Sequence, residues 1–422
     1  MRLKTPPTLG GNPEKARGSL FPNGPPRVVK FDTGLGRVGS LRVAYFVHDL
    51  SDAAVLRRVR MLQRAGADVL VLGFRRTPSA PREIAGAPAI DLGRTFDGRL
   101  SQRAMGVAKQ LLGAYRFAKI LRGRDVIIAR TLEMLVVATA ARALHQPRAR
   151  LVYECLDIHR LMISRGLAGR GLRAIERTAL RQCQLLILSS RAFQQLYFAP
   201  FQGLGTSLQV PVFYAENKVL APAASDQGRG EACMTARQPG PPWRVGWFGM
   251  LRCRKSFEIL RQLAQSSPGL VEIIISGRPS DKEFSDFAGD AARAPGVTFT
   301  GAYQAEDLER MYRSVHFAWA IDYFEEGANS DWLLPNRVYE SGRYGATPIA
   351  LKSVETGHWL AERGLGLLVN DPAAELGTLF RTLDAAGYRA LETRACDAPA
   401  EWFTAGDADC RALAQALEGH AC

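Results

Sequence analysis

What the 422-residue chain lacks narrows it first. No apolar run reaches the roughly 18 residues that a membrane-spanning helix needs, so no segment is expected to cross a bilayer. Residues 1–40 contain no apolar core of the kind a secretory leader carries. They are rich in Pro, Gly and basic side chains, and a disordered basic tail is expected there. The seven cysteines are scattered and odd in number, and none forms a Cys-x-x-Cys pair. That pattern excludes a disulfide framework and a zinc site and predicts reduced thiols in a cytosolic setting. No internal repeat is present. Acid is in short supply, with 41 Asp and Glu against 55 Lys and Arg, for a net charge of +14 and a pI near 9.7. An acidic partner follows: nucleic acid, an anionic membrane or a phosphorylated substrate. No aromatic stacking platform or recognition motif accompanies the charge, so nucleic acid is set aside.

What is present is alternation. From residue 41 onward, short apolar strand-like runs (Leu41 to Val47, Val69 to Phe74, Asp125 to Ala129, Leu151 to Tyr153, Leu185 to Ser189) alternate with helix-like segments such as Val55 to Ala65. The pattern stops in an Ala-, Pro-, Gly- and Gln-rich stretch and restarts at Trp243 with strands to Phe248, Val271 to Ser276, Val297 to Thr300 and Val315 to Ile321. Such alternation predicts βαβ units and buried parallel sheets. The expected organisation is therefore α/β with two doubly wound, Rossmann-like domains facing a central cleft. They span residues 41–215 and 243–395, joined by a linker at 216–242. A last segment, 396–422, is read as a helix beginning at Glu401-Trp402-Phe403 that can cross back to the first domain.

Two segments of the second half carry chemistry. Val245 to Ser256 runs from a strand through Gly249 into a basic loop and then a helix. Gly249 permits close backbone approach, the helix start favours anions, and Arg252, Arg254 and Lys255 supply charge for a diphosphate. Leu334 to Glu340 follows another strand and opens a helix. A carboxylate in the first helical turn beyond the carboxyl end of a parallel strand can accept both hydroxyls of a ribose. Together they read as a nucleotide-sugar site.

These residues resemble the GT-B glycosyltransferases of the large group that includes family 4. That group carries a Gly-x-Leu-x-x-x-Lys loop, matched here by Gly249, Leu251 and Lys255, and a Pro-x-Lys/Arg-x-x-Glu segment, matched by Pro335, Arg337 and Glu340. The resemblance implies that the loop binds the donor diphosphate, that Glu340 with Asn336 nearby binds the ribose, and that Gly301 borders the base. The run Val43 to Leu50 and the sequence Pro-Asn-Arg-x-Tyr-Glu-Ser-Gly are most similar to bacterial exopolysaccharide transferases of the succinoglycan-biosynthesis type. Three departures stand out. Met250 replaces a common arginine, and Gly345 and Pro348 lie one residue further apart than usual. Trp332 occupies the place of a first acidic residue, for which Asp331, Glu326 or no residue at all is the substitute. Related enzymes have an Asp/His segment where this chain has Asp157 and His159, which makes Asp157 a candidate general base and His159 a contact to the donor sugar or phosphate. Asp157 as base implies inversion, the family 4 resemblance retention; a helix-capping role for Asp157 is the plainer alternative. His48, Asp49 and Asp52 are acceptor-side candidates. Asp407-Ala408-Asp409 imitates a metal motif of another transferase fold, but its place at a helix start predicts capping, and no metal or other cofactor is expected.

Eight cations between Arg94 and Arg124 (Arg94, Arg99, Arg103, Lys109, Arg116, Lys119, Arg122, Arg124), with Asp97 the one acid, interleave with Met105, Val107, Leu111, Leu112, Tyr115 and Phe117. This predicts a cationic amphipathic helix lying on anionic lipid. A second segment, Arg160 to Arg170, adds to that face. The expected function is transfer of a sugar from a nucleotide-sugar to a lipid-linked saccharide, by a cytoplasmic protein peripheral to the inner face of the membrane. A nucleotide-sugar epimerase and a non-catalytic binding protein on a decayed transferase fold are the alternatives.

Overall fold

A computed structural model describes residues 41–95, 100–222 and 237–419, with side chains of the helix beginning at Leu100 described from Met105 onward. The expected tail, Asp97, Arg99 and the Arg103 side chain lie outside the described residues. Eight strands form the first sheet: β1 (Arg42–Val47), β2 (Asp68–Arg75), β3 (Glu83–Ile84), β4 (Ala87–Arg94), β5 (Val126–Arg130), β6 (Arg150–Cys155), β7 (Leu185–Leu188) and β8 (Val212–Tyr214). Their order is β3-β4-β2-β1-β5-β6-β7-β8, parallel throughout except for the β3–β4 pair. β1 and β5 are buried almost end to end because helices cover both faces of the sheet, which is why they read as unbroken apolar runs rather than alternating ones.

After β9 (Val219–Leu220), the second sheet comprises β10 (Trp243–Leu251), β11 (Val271–Pro279), β12 (Val297–Phe299), β13 (Phe317–Trp319), β14 (Thr347–Leu351) and β15 (Leu367–Val369). The order is β12-β11-β10-β13-β14-β15, all parallel. Strand order reverses at β1 in one sheet and at β10 in the other, and in open α/β sheets ligands bind outside the strand ends at such reversals. The two reversal edges face each other. Ile158 N–H donates to Asn329 Oδ1 at 3.2 Å, and Ser190 Oγ donates to the Trp332 carbonyl at 2.6 Å, each bond joining the two domains.

Three expectations need correction. The segment from Glu401 is a single 3-10 turn, Ala400–Trp402, followed by β16 (Thr404–Ala405), which pairs with β9; the last helix starts only at Asp407. The cause is Phe403, which is buried among Tyr339, Trp359 and neighbours and so pins the chain before it can coil. The helix Asp407–Glu418 then packs Cys410, Leu413, Ala416 and Leu417 into the first domain's core beside Val55, Val59 and Leu62. Second, the linker is not wholly irregular, since it contains β9. Third, Cys155, Cys183, Cys253 and Cys410 are free and buried, but Cys396 is disulfide-bonded, so the expectation of reduced thiols fails for it.

Candidate active site

The second domain's edge of the cleft is built largely from backbone. Gly249 (φ 120°), Gly277 (φ 150°) and Gly301 (φ 81°) lie side by side where β10, β11 and β12 end. A Cβ on Gly277 would fall 1.8 Å from the Gly249 carbonyl oxygen, and Gly277 N–H donates to the Gly301 carbonyl at 2.8 Å. The result is a shelf without side chains at the strand-order reversal. Sequence reasoning found Gly249 and Gly301 but missed Gly277, whose signal was a glycine closing an apolar strand.

The basic loop is shorter than expected. β10 continues through Leu251, and the helix Arg254–Ser266 begins after Cys253, whose sulfur accepts from Ser256 N–H. Arg252 points into the cleft, 3.5 Å from Asp322 and 4.6 Å from the Phe324 ring. Lys255 donates to both oxygens of Glu326 at 2.9 and 2.8 Å and sits 4.0 Å from the Tyr323 ring. Arg254 does not join them. It turns to the outer side, donating to the Glu283 carbonyl and stacking on Phe284, in a groove shared with Glu258, Arg261 and Asp290.

Glu340 lies in the second turn of the helix Asn336–Tyr344, not the first as expected, because the helix starts directly after Pro335. Its Oε2 accepts from the Tyr312 hydroxyl at 2.7 Å, while Oε1 has no protein donor among the described residues. Burial pushes its pKa up; the Tyr312 hydroxyl, Arg57 and Arg337 pull it back. Arg337 is held by the Trp319 carbonyl at 3.1 Å, and Asn336 is exposed at the helix start. Tyr303 and Tyr312, both near Glu340, were not found from sequence; Tyr303 is marked only by its place beside the Gly301 turn, and Tyr312 only by its place in the helix Leu308–Arg313 that follows.

The first domain contributes Asp157 from the segment after β6. Its carboxylate opens into the cleft, where burial raises its pKa and Arg252 and His159 oppose that rise. Glu133, Asp322 and Glu325 complete this charged group. The capping role goes to His159 rather than Asp157: its Nδ1 accepts from Leu161 N–H at 3.2 Å, heading the turn Arg160–Ile163. The acceptor-side candidates have local partners. Asp49 is buried, accepts from Ser51 and pairs with Arg76 at 3.3 Å, and Asp52 caps helix α1 (Ala53–Arg64) through Ala54 N–H. His48 lies 3.7 Å from Asp52, and burial lowers its pKa.

Beneath them is a buried network that sequence reasoning missed. Glu154 Oε1 accepts from Arg58 at 2.7 Å, and its Oε2 accepts from the Tyr45 hydroxyl and from Arg130 at 3.3 Å. Burial alone would raise the Glu154 pKa, but the two guanidinium groups hold it down at about 2. The signal was polar residues inside apolar strands: Tyr45, Arg130 and Glu154.

At the place of the family's first acid, Trp332 packs on the first domain's core and Asp331 accepts from Gly327 N–H at 3.1 Å within its own loop. Glu326 alone among the substitutes meets the basic group. In the Asp-Ala-Asp segment, Asp409 accepts from Gly406 N–H at 2.9 Å and serves the helix start, whereas Asp407 pairs with Arg64 of the first domain.

Against known proteins, the chain is 43% identical over 381 residues to the succinoglycan biosynthesis protein ExoL of Rhizobium meliloti, covering 89% of this chain and 93% of that one. No family model matches the sequence. Among solved structures, sucrose-phosphate synthase from Thermosynechococcus elongatus superposes with a TM-score of 0.68 at 15% identity, over 90% of this chain and 98% of that one. WaaG, a glycosyltransferase of lipopolysaccharide biosynthesis, gives 0.60 at 14%, over 89% and 100% of the two chains. Anabaena HepE in complex with UDP-glucose gives 0.58 at 16%, over 90% and 97%. The fold is GT-B.

Proposed function

We propose that this chain, which belongs to the family of the succinoglycan biosynthesis protein ExoL and is a GT-B glycosyltransferase of exopolysaccharide synthesis, moves the sugar of a nucleotide-sugar onto a lipid-linked saccharide at an anionic membrane surface. The observation that carries the donor half is Glu340, an enclosed carboxylate with one oxygen unclaimed among the described residues, in the domain that also presents the side-chain-free glycine shelf. Its free oxygen suits a ribose hydroxyl, and the shelf admits a diphosphate to the backbone. Arg252 and Lys255 then take phosphate oxygens in place of Asp322 and Glu326, and stabilise the charge that grows as the C1–O bond to phosphate breaks. Asp157, across the cleft from Arg252, takes the proton of the acceptor hydroxyl as its oxygen bonds to C1. An epimerase shares the architecture, but kinship with an exopolysaccharide protein favours transfer. Incubation with a panel of nucleotide-sugars is expected to raise the melting temperature and to release nucleotide once a saccharide acceptor is added. A melting temperature that no nucleotide moves overturns the donor site.

The acceptor half is supported by the outer face of the first domain. Helix α2 (Leu100–Leu112) and the turns after it expose Met105 (67%), Leu112 (87%) and Tyr115 (74%) beside Lys109, Arg116, Lys119 and Arg122. Val107 and Phe117 turn inward instead and pack on the core, and Arg94 belongs to β4, so the amphipathic helix is shorter than the sequence suggested. Leu167 (84%) lies exposed between Arg165 and Arg170. Among the described residues no helix is long and apolar enough to cross a membrane. Each cation near an anionic surface contributes about 1 kcal/mol, weakened by salt. The protein is expected to bind vesicles containing anionic lipid and to release partly at high salt, and Arg103, Lys109, Arg116 and Lys119 all changed to Gln should abolish this while leaving nucleotide binding unchanged. Parent-like partitioning of that variant removes the membrane from the proposal.

A further inference from the structure

Helix α1 carries two adjacent arginines with opposite surroundings. Arg58 points under the sheet and is taken up by Glu154. Arg57 points towards the second domain, where its guanidinium donates to Asn217 Oδ1 at 2.7 Å, in the segment by which the chain leaves the first domain. It forms no ion pair among the described residues. The charges around it are Arg58 and Arg130 from its own domain, and Asp52 and Glu340 as the acids. Burial among those cations lowers its pKa to about 10.

The residue before Asn217 connects the same segment to the other domain. Glu216 accepts from the Tyr339 hydroxyl at 3.1 Å, and Tyr339 directly precedes Glu340. The helix Asn336–Tyr344 also packs against β9, two residues further on. The interdomain crossing at Glu216 and Asn217 is thus gripped from both sides, by the helix that bears Glu340 and by Arg57. Glu340 needs a cation in this place. Its one hydrogen bond among the described residues comes from Tyr312, the nearby hydroxyls of Tyr303 and Tyr344 add no positive charge, and the cations that act on it are Arg57, from the first domain, and Arg337 on its own helix, whose guanidinium also donates to the Trp319 carbonyl.

We propose that Arg57 is a positioning residue for the donor: from across the cleft it keeps Glu340 ionised and oriented for the ribose, and so couples nucleotide binding to closure of the first domain. This rests on the donor site proposed above. If the domains part, Arg57 withdraws and Glu340 protonates more readily. A bound nucleotide that needs the carboxylate charged favours the closed arrangement by the same free energy, since coupling between sites is reciprocal.

The sign is definite. Arg57 lowers the Glu340 pKa, so its removal raises that pKa, and nucleotide affinity, lost as pH falls through it, is lost at a higher pH. The experiment is calorimetric titration of the full chain with UDP and with GDP from acidic to neutral pH, on wild type, Arg57→Met, Arg57→Lys, Glu340→Gln and the Arg57→Met/Glu340→Gln pair. Arg57→Met is expected to weaken binding about tenfold, within the range typical of coupled sites, and to move the pH midpoint upward. Arg57→Lys should recover most of the affinity, and Arg57→Met should cost little in the Glu340→Gln background. Equal losses in both backgrounds, or an unmoved midpoint, overturn the proposal and leave Arg57 a partner of Asn217 only. Should Arg57→Met fail to fold, Arg57→Gln and Asn217→Ala decide: the proposal requires a shifted midpoint in the first and an unshifted one in the second. A wild type that binds neither nucleotide instead defeats the donor site itself.

Discussion

The two edges of the cleft are built from opposite materials. On the first domain's side, the strand ends carry Tyr45, Arg130 and Glu154, locked with Arg58 into a network almost without solvent. On the second domain's side, the strand ends carry three glycines, and the cations next to them, Arg252 and Lys255, are 39% and 51% exposed, paired with the largely buried Asp322 and the exposed Glu326. A saturated buried network has one low-energy arrangement and resists substitution of any member. A backbone shelf with solvated cations keeps its shape while its ion pairs exchange one anion for another. One edge is made to stay and the other to receive.

The largest expected effect breaks the rigid edge. Glu154→Ala leaves Arg58 buried without its counter-charge and Arg130 with only Asp52, 3.8 Å away, and loss of one partner from a buried pair costs about 3–5 kcal/mol. Denaturant unfolding of the full chain should show the first domain melting early, and a wild-type curve would make the network ornamental. The same carboxylate predicts the direction with pH. Its folded pKa lies at about 2, below the ordinary 4.5. Its contribution is therefore present above the ordinary value and lost as pH falls from there towards 2.

Next comes the point where the edges meet. Asp157→Asn keeps the shape but removes the proton acceptor, so transfer should fall by about 10² to 10⁴ while nucleotide affinity holds. Because burial raises the Asp157 pKa, the wild-type rate should also fall on mild acidification, as the base fills with a proton, and the Asn variant should lack that limb. Full activity of the variant would exclude Asp157 as the base.

The smallest effect on stability belongs to the receptive edge. Lys255→Ala breaks a half-exposed pair with Glu326, worth under about 1 kcal/mol, so unfolding should hardly move. Turnover at saturating donor should nonetheless drop, and a variant that turns over normally would reduce Lys255 to a surface partner of Glu326.

Much of this is legible in the sequence. Alternating apolar runs of strand length located β1, β2, β5, β6, β7, β10, β11, β12 and β13, because a strand buried on both faces must be apolar throughout. Strands β3, β4, β8, β14 and β15 went unseen, and so did β9 and β16, two residues each, whose pairing rests on partners 185 positions apart, Val219 with Thr404. The donor motif pointed to Gly249, Gly301, Arg252, Lys255 and Glu340 on the second domain, but not to the outward turn of Arg254, which depends on the carbonyl of Glu283 and the ring of Phe284 being there to receive it. His159, rather than Asp157, caps the turn after β6, a choice made by backbone geometry that composition does not encode.

The sequence by itself determined the two parallel sheets, the reversal of strand order that opens a crevice in each, and the residue types brought to the second of those crevices, since apolar periodicity and glycine placement are local properties of the chain. Only the tertiary structure decided which charges answer which: Arg58 to Glu154 from 96 positions away, Arg57 to Asn217 from 160, and Arg252 facing Asp157 between domains. A guanidinium or carboxylate on a helix gives no sign of its partner along the chain. It is the packing of one layer on another that excludes water around it and so obliges it to find one.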